Sequence, residues 1–162
     1  FSGSVLSNIT FGKNRHGKPS KERVKAAIRV SQAEEFVSKL DDKEKAHIAQ
    51  GGTNVSGGQK QRLSIARTIA RDPEIYIFDD SFSALDYKTD STLRSELKKY
   101  TKDATVMIVA QRIGTILNAD KIVVLDNGKC VGIGTHKELM KKCKVYKEIA
   151  LSQVSKEELE NV

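Results

Sequence analysis

The chain has 162 residues, of which 38% are hydrophobic and 30% charged, and its formal net charge is +7. This length and composition suit one ordinary globular domain and exclude a chain that is disordered throughout. No run reaches the ~18 apolar residues that a membrane span needs, and solvated helix faces account for most of the basic charge, with an anionic membrane surface or nucleic acid as the other interpretation.

The first predicted elements are helices. After Pro19 the apolar residues recur at helical spacing, and Ser20 is placed to cap a helix. Its predicted buried face contains Val24, Ala27, Ile28 and Ser31. A second short apolar set contains Phe36, Val37 and Leu40. Residues 41–45 and the glycine-rich residues 49–59 then predict loops, and a further helix with Leu63, Ala66 and Ala70 on one face ends before Asp72.

The periodicity changes after Pro73. Two short apolar runs, at 75–78 and 105–109, flank a helical stretch, which is the pattern of buried parallel strands joined by a crossover. Residues 121–134 predict a hairpin, because Asn127-Gly128 tolerates positive φ at the turn. Thr135 and Glu138 form a capping box for the next helix, and the polar C-terminal residues are expected to fray. Two cysteines, Cys130 and Cys143, lack metal-ligand spacing and are interpreted as structural thiols in a reducing compartment.

The segment VSGGQ at 55–59 directly precedes the third predicted helix. A helix N-terminus presents unpaired N–H groups and a positive dipole end, and glycines let an anion approach the backbone closely. The segment is therefore a candidate phosphate site. Taken alone, a glycine-rich helix entry is more often only a turn.

Asp79 ends the apolar run at 75–78 and is followed by Asp80. A carboxylate in this place lies at the carboxyl edge of a parallel sheet, where ligands of such folds bind, and it can hold Mg²⁺ through water. The alternative is that Asp79 and Asp80 cap the helix that follows. The strand by itself does not decide between them.

Several motifs occur in one order along the chain: VSGGQKQR, IYIFDD, SALD at 83–86, and IVAQR at 108–112. Together they resemble the nucleotide-binding domain of ATP-binding cassette (ABC) transporters. VSGGQ resembles the signature motif of that family, IYIFD its Walker B strand, SALD its D-loop and IVAQR its switch region. FSGSVLSNITFG resembles the exporter segment after the Q-loop, and the residues from 119 to 139 resemble the closing strands and helix.

The resemblance implies an α/β fold. We expect a partial P-loop NTPase core of parallel strands with flanking helices and a C-terminal hairpin, together with a helical subdomain. The expected divisions are 1–72 for the helical signature subdomain, 73–151 for the second half of the core, and 152–162 for a polar tail. No GxxxxGK[ST] occurs and the first residue is Phe1, so we expect a piece of a longer protein whose Walker A half lies upstream. Such a piece is expected to bind ATP poorly on its own.

The resemblance also implies roles for the signature residues. Ser56 and the amides of Gly57 and Gly58 are expected to contact the γ-phosphate of an ATP held by a second nucleotide-binding domain, and Gln59 to order the helix start. Ser83 and Asp86 are expected at the interface between the two domains. The following residues, 60–62, are interpreted as exposed or interface residues of the helix.

Three further residues belong, by the same resemblance, to the ATP site on this chain's own side. Asp79 is expected to hold Mg²⁺ through water. Asp80 stands where the family usually has a water-polarising glutamate, and Gln111 where it usually has a histidine that contacts the γ-phosphate. Aspartate is shorter by roughly 1.5 Å, and a misplacement of about 1 Å can cost on the order of a hundredfold in rate. Glutamine can donate a hydrogen bond but carries no charge.

These two departures predict a slow, degenerate ATP site beside an intact signature, as in one half of a bacterial heterodimeric multidrug or lipid exporter. The implied partners are a different nucleotide-binding domain and a transmembrane domain, at the cytoplasmic face of the membrane, and no specific nucleic acid is expected. Two alternatives stay open. One is a regulatory ABC-type module that binds ATP without turnover. The other is a soluble ABC ATPase acting on nucleic acid or the ribosome, which the basic charge suits.

Overall fold

The computed structural model describes residues 2–12 and 17–153, which form two compact units divided between Met107 and Ile108. The first unit contains β1 (Gly3–Ser4), α1 (Val5–Ile9), α2 (Lys21–Val30), α3 (Glu34–Ser38), β2 (His47–Ile48), α4 (Gly57–Arg71), β3 (Ile75–Asp79) and α5 (Tyr87–Tyr100), with 3₁₀ turns at Lys43–Lys45 and Gln50–Gly52. The boundary falls within β4 (Thr105–Val109). The second unit continues with α6 (Ile113–Ile116), β5 (Ile122–Asp126), β6 (Lys129–Gly134), α7 (His136–Lys142) and α8 (Lys144–Gln153).

The division at residue 107 differs from the subdomain boundary expected at 72. The helix α2 packs against both α4 and α5, so helices from either side of residue 72 share one unit. The helices themselves agree with their sequence patterns. Ser20 caps α2, its Oγ accepting from Arg23 N at 3.2 Å, and α4 ends where Asp72 takes a left-handed conformation with φ 52°. Of the predicted polar tail, residues 152 and 153 belong to α8, and 154–162 lie outside the described residues.

The N-terminal segment is fastened to the long helix α4, which the sequence did not reveal. Arg67 Nε donates to Asn8 O at 2.7 Å, and Arg71 Nη2 donates to Phe11 O at 2.7 Å. Asn8 is buried, and its amide donates in turn to Ser4 O at 2.9 Å. The short strands β1 and β2 pair antiparallel beside this segment, although no strand was predicted there.

The strands β3 and β4 are less covered than the sequence predicts. They form a two-stranded sheet, and β3 alternates: Tyr76 and Phe78 are buried, whereas Ile75 and Ile77 are 59% and 63% exposed. All residues of β4 except Ile108 are exposed. The expected burial is therefore found on one face of β3 only, because the described residues cover only that face.

The second unit is built on the predicted hairpin. The strands β5 and β6 pair antiparallel, with Val123 opposite Ile133. Leu139, Tyr146 and other apolar side chains of α7 and α8 pack on one face of the hairpin. Cys143 is buried in this core, but Cys130 is exposed, so the structural-thiol interpretation holds only for Cys143. The reason is position, since Cys130 lies next to the solvent-exposed turn that joins the two strands.

Candidate functional site

Residues 56–59, here called the signature turn after the motif that they resemble, form a capping box at the start of α4. Ser56 Oγ accepts from Gln59 N at 3.2 Å, and Gln59 Oε1 accepts from Ser56 N at 2.9 Å. Gly57 and Gly58 occupy the first two helical positions, where backbone N–H groups have no partner within the helix. No acidic residue lies in the first turn, so the positive end of the helix dipole is not neutralised there. The Ser56 hydroxyl still has its own proton to donate.

Gly58 also has a packing role that the sequence did not show. A Cβ at this position would lie 2.9 Å from Ala84 O, closer than real Cβ atoms come to a backbone oxygen. The absence of a side chain therefore lets the start of α4 pack directly against the turn that follows β3. At Gly57 the nearest atom to an added Cβ is Ala84 Cβ, at 3.8 Å, which is ordinary contact.

Asp80 lies in that turn with a left-handed backbone, at φ 45°. Aspartate is among the few residues other than glycine that tolerate this conformation. Asp80 O accepts from Ser83 Oγ at 3.1 Å and from Gln61 Nε2 at 3.3 Å. The carbonyl of Asp80 is thus held from two sides, while its side chain is exposed.

Asp79 ends β3 beside a cleft of about 220 Å³. The cleft is lined by Lys60, Gln61, Ser64, Asp79, Asp80 and Ser81. Within residues 2–12 and 17–153, no group of three or more His, Cys, Asp or Glu side chains is arranged to hold a metal. Mg²⁺ commonly binds through one or two carboxylates together with waters and substrate phosphates, so the two exposed carboxylates fit a Mg²⁺ ion of that kind.

The N-cap of α5 shows whether Asp79 and Asp80 cap the helix that follows β3, which was the alternative to a metal site. Asp86 occupies the N-cap: its Oδ1 accepts from Thr89 N at 2.9 Å and its Oδ2 from Thr89 Oγ1 at 2.7 Å. The hydrogen bonds from Thr89 lower the pKa of Asp86 below its ordinary value. Asp79 and Asp80 therefore do not cap the helix that follows β3. Ser83 and Asp86 are both exposed.

Gln111 belongs to the second unit, where another glutamine fixes its backbone. Gln153 Nε2 donates to Gln111 O at 2.7 Å, and Gln153 Oε1 accepts from Ile113 N at 2.8 Å. The side chain of Gln111 is exposed. The turn after β4 is thus held by the end of α8, a contact between residues 42 positions apart that no local pattern reveals.

Two residues interpreted from the sequence as exposed or interface residues make internal contacts instead. Gln61 Nε2 donates to Ser83 Oγ at 3.1 Å, and Arg62 Nη1 donates to Gln32 O at 2.8 Å. The guanidinium of Arg62 also lies 4.9 Å from the centre of the Phe36 ring, and burial lowers the pKa of Arg62. No local pattern gives the partners of Gln61, because the turn that it binds lies 19 to 23 residues further along the chain.

A family model described as "ABC transporter" matches residues 3–83, which contain the signature turn and both aspartates. The chain belongs to the ABC transporter family. This confirms the resemblance that the motifs indicate, and the α/β fold agrees with it. The chain is 31% identical to a solved structure of a bacterial Atm1-family ABC exporter with ATP bound, with a TM-score of 0.89, covering 96% of this chain and 27% of that one.

Relatives of known sequence agree with this membership. An uncharacterised ABC transporter ATP-binding protein of Mycobacterium tuberculosis is 45% identical over 153 residues, covering 94% of this chain and 26% of the relative. An ATP-dependent lipid A-core flippase of Francisella tularensis is 40% identical over 146 residues, covering 90% of this chain and 24% of the relative. The chain thus spans about a quarter of the length of these ABC relatives. Among the described residues of this chain, no helix combines the length and apolarity that crossing a membrane requires.

Proposed function

We propose that this chain is part of the ATP-binding and ATP-hydrolysing motor of an ABC exporter. In this proposal its signature turn completes the ATP site of a partner nucleotide-binding domain, and its own Walker B side forms a second site that turns over slowly. The observation that carries the proposal is the start of α4, which is capped by Ser56 and Gln59 and has glycine at both positions between them. The names of the relatives, an exporter and a flippase, support the assignment to export.

The chemistry of the signature turn suits a terminal phosphate. The first-turn N–H groups of Gly57 and Gly58 and the hydroxyl proton of Ser56 are donors, and the helix dipole favours a negative charge at this end. Because Gln59 is neutral, the cap itself does not repel an anion. These donors would bind a γ-phosphate held by the partner domain and exclude water from it.

The carboxylates of this chain's own site have different proposed tasks. Asp79 would hold Mg²⁺ together with waters and the ATP phosphates, and the ion would neutralise charge on the β- and γ-phosphate oxygens. Asp80 would orient and polarise the attacking water, but from a side chain roughly 1.5 Å shorter than the usual glutamate. Gln111 would donate a hydrogen bond to the γ-phosphate without adding positive charge.

Both departures reduce turnover more than they reduce binding, which is why the site is proposed to be slow. The left-handed backbone at position 80 also favours aspartate over glutamate, by about 1 kcal/mol or less. A second candidate function follows from the same two residues. With Asp80 and Gln111 together, the module could bind ATP for regulation and not hydrolyse it at all.

The proposed assembly places this chain at the cytoplasmic face of a membrane, joined to transmembrane helices and paired with a different nucleotide-binding domain. Ser83 and Asp86, both exposed, would lie at that pairing surface. A specific nucleic-acid partner is not part of the proposal.

The test restores the usual residues in the intact polypeptide that contains this chain, assembled with its partner. Asp80→Glu combined with Gln111→His is expected to raise ATP hydrolysis at this subunit's site by about tenfold to a hundredfold, while the ATP affinity changes little. Turnover is measured with the other site blocked, and the two single variants serve as controls. A double variant that binds ATP normally and hydrolyses no faster would contradict the degenerate site. Unsubstituted assemblies that bind ATP but show no turnover at this subunit's site would favour the regulatory function.

A further inference from the structure

The side chain of Gln61 joins the signature helix to the turn after β3. Its Nε2 donates to Asp80 O at 3.3 Å and to Ser83 Oγ at 3.1 Å, and its Oε1 accepts from Ala84 N at 3.0 Å. These three hydrogen bonds are called the bracket below. An amide can form all of them because it has both donors and an acceptor. A carboxylate lacks the donors, and an aliphatic side chain lacks both.

The bracket lies beside the close contact of Gly58 with Ala84. Gly58 and Gln61 are three residues apart on one face of α4, so the turn is attached to the helix at two successive points. The first of these points belongs to the signature turn itself. Close packing at Gly58 and the hydrogen bonds of Gln61 thus join the start of α4 to residues 80–84.

The bracket also acts on the residue with the least favourable backbone in the site. Asp80 has φ 45°, and such conformations persist only where the surroundings enforce them. Gln61 and Ser83 both donate to the carbonyl of Asp80. They fix the peptide plane after Asp80, and with it the direction in which the carboxylate leaves the backbone.

We propose that Gln61 is a positioning residue that couples the two ATP sites of the assembly. In this proposal, a phosphate that binds to the signature turn, in the partner's site, shifts the position of the start of α4. Gln61 transmits this shift to Asp80 in this chain's own site and to the exposed Ser83–Asp86 segment. This inference rests on the proposed function, because it requires both sites. Gln61 lines the cleft beside Asp79, but its amide group is engaged by Asp80, Ser83 and Ala84.

The experiment uses the intact assembly and three variants. Gln61→Leu removes the bracket and keeps a similar volume. Gln61→Glu keeps the size and, once protonated, again has a donor and an acceptor. Thr68→Val is the matched control on the same helix, since the Thr68 hydroxyl donates within α4, to Ser64 O at 3.1 Å.

The first readout is hydrogen exchange at the Ala84 amide, which Gln61 binds directly. Gln61→Leu is expected to exchange this amide about tenfold faster than the native chain. A non-hydrolysable ATP analogue that loads only the partner's site is expected to change the exchange in the native assembly and in Thr68→Val, but not in Gln61→Leu. This readout does not depend on turnover. An unchanged response in Gln61→Leu would overturn the coupling proposal.

The second readout is kinetic. Gln61→Leu is expected to lower kcat at both sites by about tenfold or more, with the KM for ATP within twofold of the native value, since the Gln61 amide bonds to residues 80, 83 and 84 of its own chain. Gln61→Glu is expected to be slow at pH 8 and to recover part of its rate as the pH falls towards 5, relative to the native profile, because protonation restores a donor. A lowered kcat without this pH-dependent recovery would mean that Gln61 only stabilises the fold, and it would contradict the positioning role. If the native assembly hydrolyses no ATP, the proposed motor function fails while the exchange readout still decides the role of Gln61.

Discussion

The helices α4 and α7 begin with the same kind of capping box, but its third helical residue is neutral in α4 and charged in α7. In α4 the box consists of Ser56 and Gln59, with N···O distances of 3.2 and 2.9 Å. In α7 it consists of Thr135 and Glu138, with N···O distances of 3.4 and 2.8 Å. The hydrogen bonds of Thr135 to Glu138 lower the pKa of that carboxyl, so it stays ionised at the helix end.

The same capping geometry can therefore either neutralise the positive end of a helix or leave it without a compensating charge. In α7 the carboxylate of Glu138 already supplies the negative charge that the helix dipole favours, and His136 and Lys137 lie between it and Thr135. In α4 the neutral amide of Gln59 supplies the same geometry without the charge, and the two positions between Ser56 and Gln59 are glycines. Of these two helices, α4 is therefore the one left with an unmatched positive end that an external anion can reach.

Exchanging the charge of the two caps is expected to have the largest effect. Gln59→Glu keeps the capping box of α4 but places a carboxylate where the phosphate is proposed to bind. We expect turnover at the partner's site to fall by about 100-fold, equivalent to ~3 kcal/mol, with the thermal stability kept or raised. Site-resolved ATP hydrolysis and thermal melting measure the two effects. The reverse exchange, Glu138→Gln in α7, is the control and leaves turnover unchanged. Native turnover in Gln59→Glu would mean that the open cap does not bind phosphate.

Removing each cap is the next test. Ser56→Ala and Thr135→Ala each remove an N-cap hydroxyl, so each is expected to lower the free energy of unfolding by about 1 kcal/mol. Only Ser56→Ala is expected to lower turnover as well, because only its hydroxyl is proposed to donate to a phosphate. Urea unfolding gives the stability, and steady-state hydrolysis gives the rate. Equal losses of rate in both variants would remove the distinction between the caps.

The smallest expected effect is a difference in pH dependence. The folded pKa of Glu138 is lowered from its ordinary value of 4.5, mainly by the Thr135 N–H and hydroxyl. Its contribution to stability is therefore complete above pH 4.5 and is lost as the pH falls through the lowered folded pKa. Glu138→Gln is expected to flatten the stability profile in that range, whereas Gln59→Ala leaves the slope unchanged. Urea unfolding between pH 3 and 6 compares the profiles, and parallel native and Glu138→Gln curves would contradict the assignment.

Local patterns predicted most of the helices and the caps. The start of α4, the box at Thr135 and Glu138 and the Asn127-Gly128 hairpin depend on residues close together in sequence, which is why they could be predicted. The bracket formed by Gln61 could not, because it requires the shape of a turn 19 to 23 residues away. The same holds for Gln153 and Gln111.

The exposure of β3 and β4 was also missed. An apolar run predicts a strand that favours burial, but the covering of its two faces depends on the elements packed around it. The left-handed backbone of Asp80 was missed for a related reason. An Asp-Asp pair at a strand end is compatible with several turns, and the hydrogen bonds of Gln61 and Ser83 to the Asp80 carbonyl select one of them.

The attachment of the N-terminal segment to α4 has a mechanical consequence. The helix has 15 residues and is therefore about 22 Å long. Arg67 and Arg71 fasten the backbone of Asn8 and Phe11 to its last turns, and the glycines lie at its other end. A displacement of the N-terminal segment is thus passed to the glycines through one continuous helix, with no loop between the two ends.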